Sequence, residues 1–381
     1  MDFKLTNLSC LAAKIVALCT VVLMKNNYCM ERYYEIPGDV IEQIAAYYPH
    51  KNKFTALNRT WNTFCSRKNA DNILRHSPLI LSSNDKQYFL NYYAYTGNIP
   101  IVTNLLNNGA DINHINALGM TPLLCACDNL NNEGMISLLI KSGAQPIKEL
   151  PVLSPLHKAV YYGKINIVKS LIVIFKEYIN KQQNDITPLI TASGWGNSDI
   201  AQTLVEHGAN INMKDKDGNT PLHSACRYGH FEVARLLLEH GANINEITKN
   251  NRHTPLVLAC MKGHFDIVQL LLNSKANVDV LTQAKCTPLH IVCDYGYSDI
   301  VQLLLNHGVK NVNAEGQDGW MPLHFACQNG HLTAVQLLLT HGADAYKEDK
   351  AGNTPLQIAY KNKHASLVKF FAENMSKDLN T

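Results

Sequence analysis

Charge is scarce in this sequence. Asp, Glu, Lys and Arg make up 17% of the 381 residues, and the formal net charge is +3. With no basic stripe along the chain, that balance gives no electrostatic footprint for nucleic acid. Paired cysteine spacing is missing too: the eleven cysteines are an odd number and contain no C-x-x-C. This argues against zinc sites and a disulfide framework, and favours free thiols in a reducing compartment. No P-loop, H-E-x-x-H or G-x-S-x-G occurs, so the corresponding phosphate, metalloprotease and acyl-transfer chemistries have no support. Apolar residues, by contrast, reach 46%, enough to bury a core and to exclude overall disorder. A chain of this length requires either two domains or an extended array of repeats.

The array is visible in the prolines. Pro122, Pro155, Pro188, Pro221, Pro255, Pro288, Pro322 and Pro355 follow one another at intervals of 33 or 34 residues, each inside a whole or partial T-P-L-H. The fullest copy runs from Asp217 through Thr220-Pro221-Leu222-His223 and Gly229-His230 to Gly241-Ala242-Asn243-Ile244-Asn245. Asp217-Gly218 suits a tight turn with positive φ. Thr220 is placed to cap a helix whose first position Pro221 fits, since no amide donor is needed there. Leu222, Ala225 and Cys226 fall on one face of that helix, and Gly229 ends it. A second helix presents Val233, Leu236, Leu237 and Leu238, and Gly241 stops it. Such a helix pair cannot bury its apolar face alone, so neighbours must stack on it.

The period, T-P-L-H, the glycine-histidine pair and the G-A-D/N-I/V-N ending closely resemble the ankyrin-repeat family. The resemblance implies an all-α solenoid of helix pairs with hairpin loops over 84–381, about nine repeats, preceded by a small helical module. The first copy, residues 84–116, is degenerate: Tyr88-Phe89-Leu90 stands in place of T-P-L-H, while Gly97, Leu105-Leu106 and Gly109-Ala110-Asp111-Ile112-Asn113 are kept. The last copy, from about Lys350, has Lys363 at the inter-helix glycine and reads as a C-terminal cap. In the copy from about Leu150, Phe175–Asn184 replaces the usual ending. There the second helix is expected to run longer.

Sixteen histidines suggest metal or acid-base chemistry when read singly, but eleven are repeat letters. His157, His223, His290 and His324 end T-P-L-H; His230, His264 and His331 follow the inter-helix glycine; His207, His240, His307 and His341 precede the glycine ending the second helix. The resemblance gives the T-P-L-H imidazole a structural hydrogen-bonding role. Cys127, Cys226, Cys260, Cys293 and Cys327 likewise share one repeat position, that of a small buried hydrophobe, and Cys125 is read as core. No catalytic residue, metal ligand or cofactor is expected.

A solenoid offers its partner a concave surface of hairpin tips and first helices. The resemblance puts partner-reading positions at the tips and just before the inter-helix glycine. These positions hold Tyr162, Trp195, Arg227, Tyr228, Asp294 and Tyr295, with Arg252, Lys285 and Trp320 at the tips. Tyr, Trp and Arg are the usual anchors of protein interfaces; the competing reading is that the aromatics pack between repeats.

Residues 33–75 differ from the repeats. Ile36-Pro37, Asp39, Val40-Ile41, Ile44 and, in a second helical stretch, Trp61 resemble an F-box, with Ile in place of the usual first Leu and a shorter link between the helices. The resemblance implies docking on a Skp1-like adaptor of a cullin ubiquitin ligase through Ile36, Pro37, Val40, Ile41, Ile44 and Trp61. A helical cap for the solenoid is the alternative. Within residues 1–30, the apolar run Leu5–Met24 is compatible with an export signal, but Lys14 interrupts it, which disfavours a membrane anchor. The expected function is protein–protein interaction as an F-box-like substrate receptor in the cytoplasm. Alternatives are an ankyrin scaffold, an inhibitor, or an effector exported into a host cytosol.

Overall fold

The computed structural model describes residues 83–116, 119–129, 132–145 and 154–378. Among them are 18 α-helices and no strand, as expected for the ankyrin-repeat solenoid. The described residues through Lys158 belong to one compact unit, and those from Ala159 onward to a second.

In the first unit, helix α1 (Ser83–Thr96) and α2 (Ile99–Asn107) form the degenerate copy, followed by α3 (Pro122–Asp128) and α4 (Glu133–Lys141). Leu90, Ala94, Ile101, Val102 and Leu105 are fully buried, so the copy keeps a core face without T-P-L-H. Asn132 fastens the two helix pairs together, its Nδ2 donating to the carbonyls of Ala94 at 2.7 Å and Tyr95 at 2.9 Å. Cys125 and Cys127 are buried, and burial pushes both thiols up to about 12.

Helix α5 (Pro155–Tyr161) carries the boundary between the units. Beyond it come α6 (Ile165–Ile174), α7 (Pro188–Trp195), α8 (Ser198–Glu206), α9 (Pro221–Tyr228) and α10 (Phe231–Glu239). They are followed by α11 (Pro255–Lys262), α12 (Phe265–Asn273), α13 (Pro288–Tyr295) and α14 (Ser298–Asn306). The series ends with α15 (Pro322–Gln328), α16 (Leu332–Thr340), α17 (Pro355–Lys361) and α18 (Ala365–Asp378). Within the second unit the first helices α7, α9, α11, α13, α15 and α17 pack on one another in succession, as do the second helices α6, α8, α10, α12, α14 and α16.

The local devices match their expected roles. The Thr220 hydroxyl accepts from the amide of His223, and Gly229 closes α9 in the left-handed region at φ 83°. Leu222, Ala225 and Cys226 are fully buried. In α10 the core face is Val233, Ala234, Leu236 and Leu237, while Leu238 is only half-buried. Each fully buried leucine contributes roughly 1.5–3 kcal/mol. In the last copy Lys363 itself takes the left-handed conformation, at φ 62°.

A ladder of hairpin side chains ties successive repeats. The Oδ1 of Asn212 accepts from the amide of Asn243 at 2.8 Å, that of Asn245 from Asn277 at 2.9 Å, and that of Asn313 from Asp344 at 2.8 Å. The departure after α6 resolves differently from expectation. The helix gains only one residue, ten against nine in α8, α10, α12 and α14; it ends at Ile174, and a 3₁₀ turn, Lys176–Tyr178, follows. Phe175, Tyr178 and Ile179 all turn inward and are buried, with the rings of Phe175 and Tyr178 edge to face at 6.1 Å. At spacings of three and four these residues would share one face in a continued helix as well; what the turn changes is the position of the residues that follow. The turn brings Asn180 onto the ladder, its Oδ1 accepting from the amide of Asn210 at 2.7 Å and its Nδ2 donating to the carbonyl of Gly208 at 3.1 Å. Asn180→Ala is therefore expected to cost about 1 kcal/mol in urea unfolding; an unchanged midpoint would show that this rung is idle.

Candidate protein-binding surface

The aromatics before the inter-helix glycines stand at the ends of the first helices. Tyr162, Trp195, Tyr228 and Tyr295 are 46, 57, 60 and 49% exposed. Each also rests on a neighbour. Tyr161, equally exposed, packs edge to face on Tyr162 at 5.2 Å and on Trp195 at 5.4 Å. Tyr228 lies over Gly194, where a side chain would meet its ring at 3.9 Å. Tyr295 stacks on Tyr297 at 5.7 Å with an 11° tilt. Packing between repeats and presentation to solvent thus coexist: one edge of each ring is held, the rest is free. Such rings lose little side-chain entropy when a partner covers them.

The other predicted positions divide. Arg252 and Lys285 are exposed at the hairpin tips. Asp294 is exposed, its carboxylate accepting from Nδ2 of Asn329 at 2.9 Å. Arg227 is half-buried and donates to Oδ1 of Asn219 at 3.2 Å. Trp320 is half-buried, with its ring edge to face on Phe325 at 5.0 Å and its carbonyl accepting from Nε2 of His290 at 3.1 Å. Its ring serves packing within its own repeat. Ile36, Pro37, Val40, Ile41, Ile44 and Trp61, with the run Leu5–Met24, lie outside the described residues.

The histidines are held in three structural roles. At T-P-L-H, Nδ1 of His223 accepts from the Thr220 amide at 3.1 Å, while Nε2–H donates to the carbonyls of Glu246 and His253, both at 3.1 Å. His290 repeats this with the Thr287 amide and the Trp320 carbonyl. Burial pulls both imidazoles down to about 4 and lowers His324 as well. After the inter-helix glycine, Nε2–H of His230, His264 and His331 reaches back one repeat to the carbonyls of Gly194, Arg227 and Asp294. Before the second glycine, Nδ1–H of His207, His240, His307 and His341 donates to the carbonyl four residues earlier in its own helix. Cys226, Cys260, Cys293 and Cys327 are buried free thiols, raised in pKa by burial. Among the described residues no helix is long and apolar enough to cross a membrane.

A family model described as ankyrin repeats (3 copies) matches residues 62–149, 156–248, 242–315 and 308–381. The chain belongs to the ankyrin-repeat family. In this ankyrin-repeat protein the first matched segment opens inside the 33–75 stretch that resembles an F-box. Among solved structures, the human ASB11 ankyrin repeat domain is similar, at 31% identity and a TM-score of 0.50, over 54% of this chain and 92% of that one. No curated protein matches the chain. The repeats make it a protein–protein interaction module.

Proposed function

We propose that this ankyrin-repeat protein is a non-catalytic substrate receptor. Its repeats hold a target protein, and its N-terminal module docks on a Skp1-like adaptor of a cullin ubiquitin ligase in the cytoplasm. The observation that supports target binding is the row Tyr162, Trp195, Tyr228 and Tyr295, half-exposed at one repeat position. Aromatic anchors of this kind dominate binding energy at interfaces. Among the described residues, the histidines and cysteines at repeat positions are occupied in holding the array together. The F-box-like residues Ile36, Pro37, Val40, Ile41, Ile44 and Trp61 support the adaptor link, and the recurrent cysteines, read as free thiols, support a reducing compartment. A scaffold, an inhibitor, or an effector exported into a host cytosol is the second reading, favoured by the apolar run Leu5–Met24.

Affinity capture from a eukaryotic lysate tests both halves at once. The intact chain is expected to retain a target together with Skp1. A Trp195→Ala, Tyr228→Ala, Tyr295→Ala variant should lose target by tenfold or more, since each anchor is worth about 1–2 kcal/mol, yet keep Skp1. A Pro37→Ala, Ile41→Ala variant should do the reverse. Capture of a target without Skp1 by the intact chain leaves the scaffold reading standing and sinks the ligase link.

A further inference from the structure

We infer that the face over repeats 214–295 is built to take an extended, carboxylate-rich protein segment. This rests on the reading of the repeats as a target-binding surface and names the target's chemistry. The first observation is backbone strain at two tips. Three residues before the repeat prolines the chain takes a positive φ: in earlier repeats Gly119 supplies it and Asp185 adopts it at φ 64°, and in later ones Gly218, Gly319 and Gly352 supply it. In the two adjacent repeats between them the same position is held by Arg252 at φ 54° and Lys285 at φ 57°. A side chain there costs about 1–2 kcal/mol relative to glycine. Strain of this kind gathers at ligand sites, and here two long cations occupy the strained position in register.

The second observation is where charge lies. In this region the tips and first helices carry Lys216, Arg227, Lys249, Arg252, Lys262 and Lys285. None of these six forms an ion pair among the described residues. The nearby Glu246 is already engaged by Lys214 at 2.9 Å, and Asp215 is held by the amides of its own tip. The second helices are the opposite: α8, α10, α12 and α14 hold six acidic residues and a single base, Arg235. The near-neutral total therefore conceals a basic side and an acidic side, and no linear scan finds it because the basic residues stand about a repeat apart.

Spacing selects the occupant. Stacked helices lie about 10 Å apart, and an extended or polyproline-type chain covers roughly that distance in three residues. Carboxylates at every third position would then face successive tips, with Tyr228 and Tyr295 beneath the intervening stems. The exposed carboxylates of Asp217 and Asp294 among the bases disfavour a continuous polyanion and tolerate separate carboxylates.

The test uses the full chain and a fluorescein-labelled peptide of about a dozen residues with Glu at every third position, alongside the same peptide with Gln for Glu and a single-stranded oligonucleotide of equal span. Only the Glu peptide is expected to bind at low salt, weakening as salt rises. Arg252→Gly with Lys285→Gly should weaken it at least tenfold, about 1.4 kcal/mol, without lowering the melting temperature, because glycine suits the positive φ. Three results overturn the proposal: no binding of the Glu peptide, binding indifferent to the double variant, or tighter binding of the oligonucleotide. The captured target's dependence on Trp195, Tyr228 and Tyr295 is read separately, so failure of the acidic peptide leaves that dependence able to stand.

Discussion

Gly229→Ala is expected to lower the stability of the repeat array by about 2–3 kcal/mol, one of the largest effects of any single methyl group in the chain. Two costs add. The residue sits at φ 83°, where an L side chain is disfavoured by about 1–2 kcal/mol. The new methyl would also stand 2.7 Å from the imidazole of His264, which lies across this glycine from the next repeat. The ring must move, and with it goes its bond to the Arg227 carbonyl at 3.3 Å, worth about 1 kcal/mol. Urea unfolding of four chains checks this: wild type, each single variant, and Gly229→Ala with His264→Ala. If the ring is the obstacle, the alanine costs less once His264 is gone. Equal costs in both backgrounds would leave backbone strain as the sole cause. The same arrangement recurs at Gly196 under His230 and Gly296 under His331.

Acid should begin to destabilise the array above the pH at which its carboxylates protonate. Burial holds His223 and His290 at about 4, against an ordinary value of 6.5. Protonation would also set a new Nδ1 proton against an amide that already donates to that nitrogen. Above the ordinary value neither folded nor unfolded chain binds the proton, and these groups add no pH dependence. As pH falls below it, the unfolded chain takes up protons that the folded chain refuses, so stability declines. The decline is complete once pH passes the folded value, after a loss of about 3 kcal/mol per imidazole. The chain supplies its own control. In the last repeat Gln357 stands at the histidine position, and its Oε1 accepts from the Thr354 amide at 2.9 Å. His223→Gln with His290→Gln should therefore keep the cap and flatten the slope of stability against pH. It should also cost about 1–2 kcal/mol at neutral pH through the lost Nε2 bonds. A slope identical to wild type would show that the two imidazoles do not govern acid unfolding.

Much of this was legible from residue order. Period, caps and apolar spacing are local, so Thr220, Pro221 and Gly229 announce a helix and its ends without reference to the rest of the chain. The same holds for the degenerate copy, where Gly97 and Leu105 were enough. The longer helix expected before Phe175 gained only one residue, because the apolar run of α6 does not announce the 3₁₀ turn that sets Asn180 on the ladder. The half-burial of Trp320 at its tip was hidden too, since its neighbour Phe325 comes from the following first helix. The tip cations at positive φ gave no signal, because Arg and Lys do not advertise a left-handed backbone as glycine does.

The sequence by itself determined the family, the helix pairs and the structural employment of the histidines, because each depends on spacings shorter than one repeat. The tertiary structure decided what lies between repeats: which imidazole covers which glycine, which asparagine completes the ladder, and which side of the stack is basic. Those depend on residues about a repeat apart, and only stacking brings them into contact.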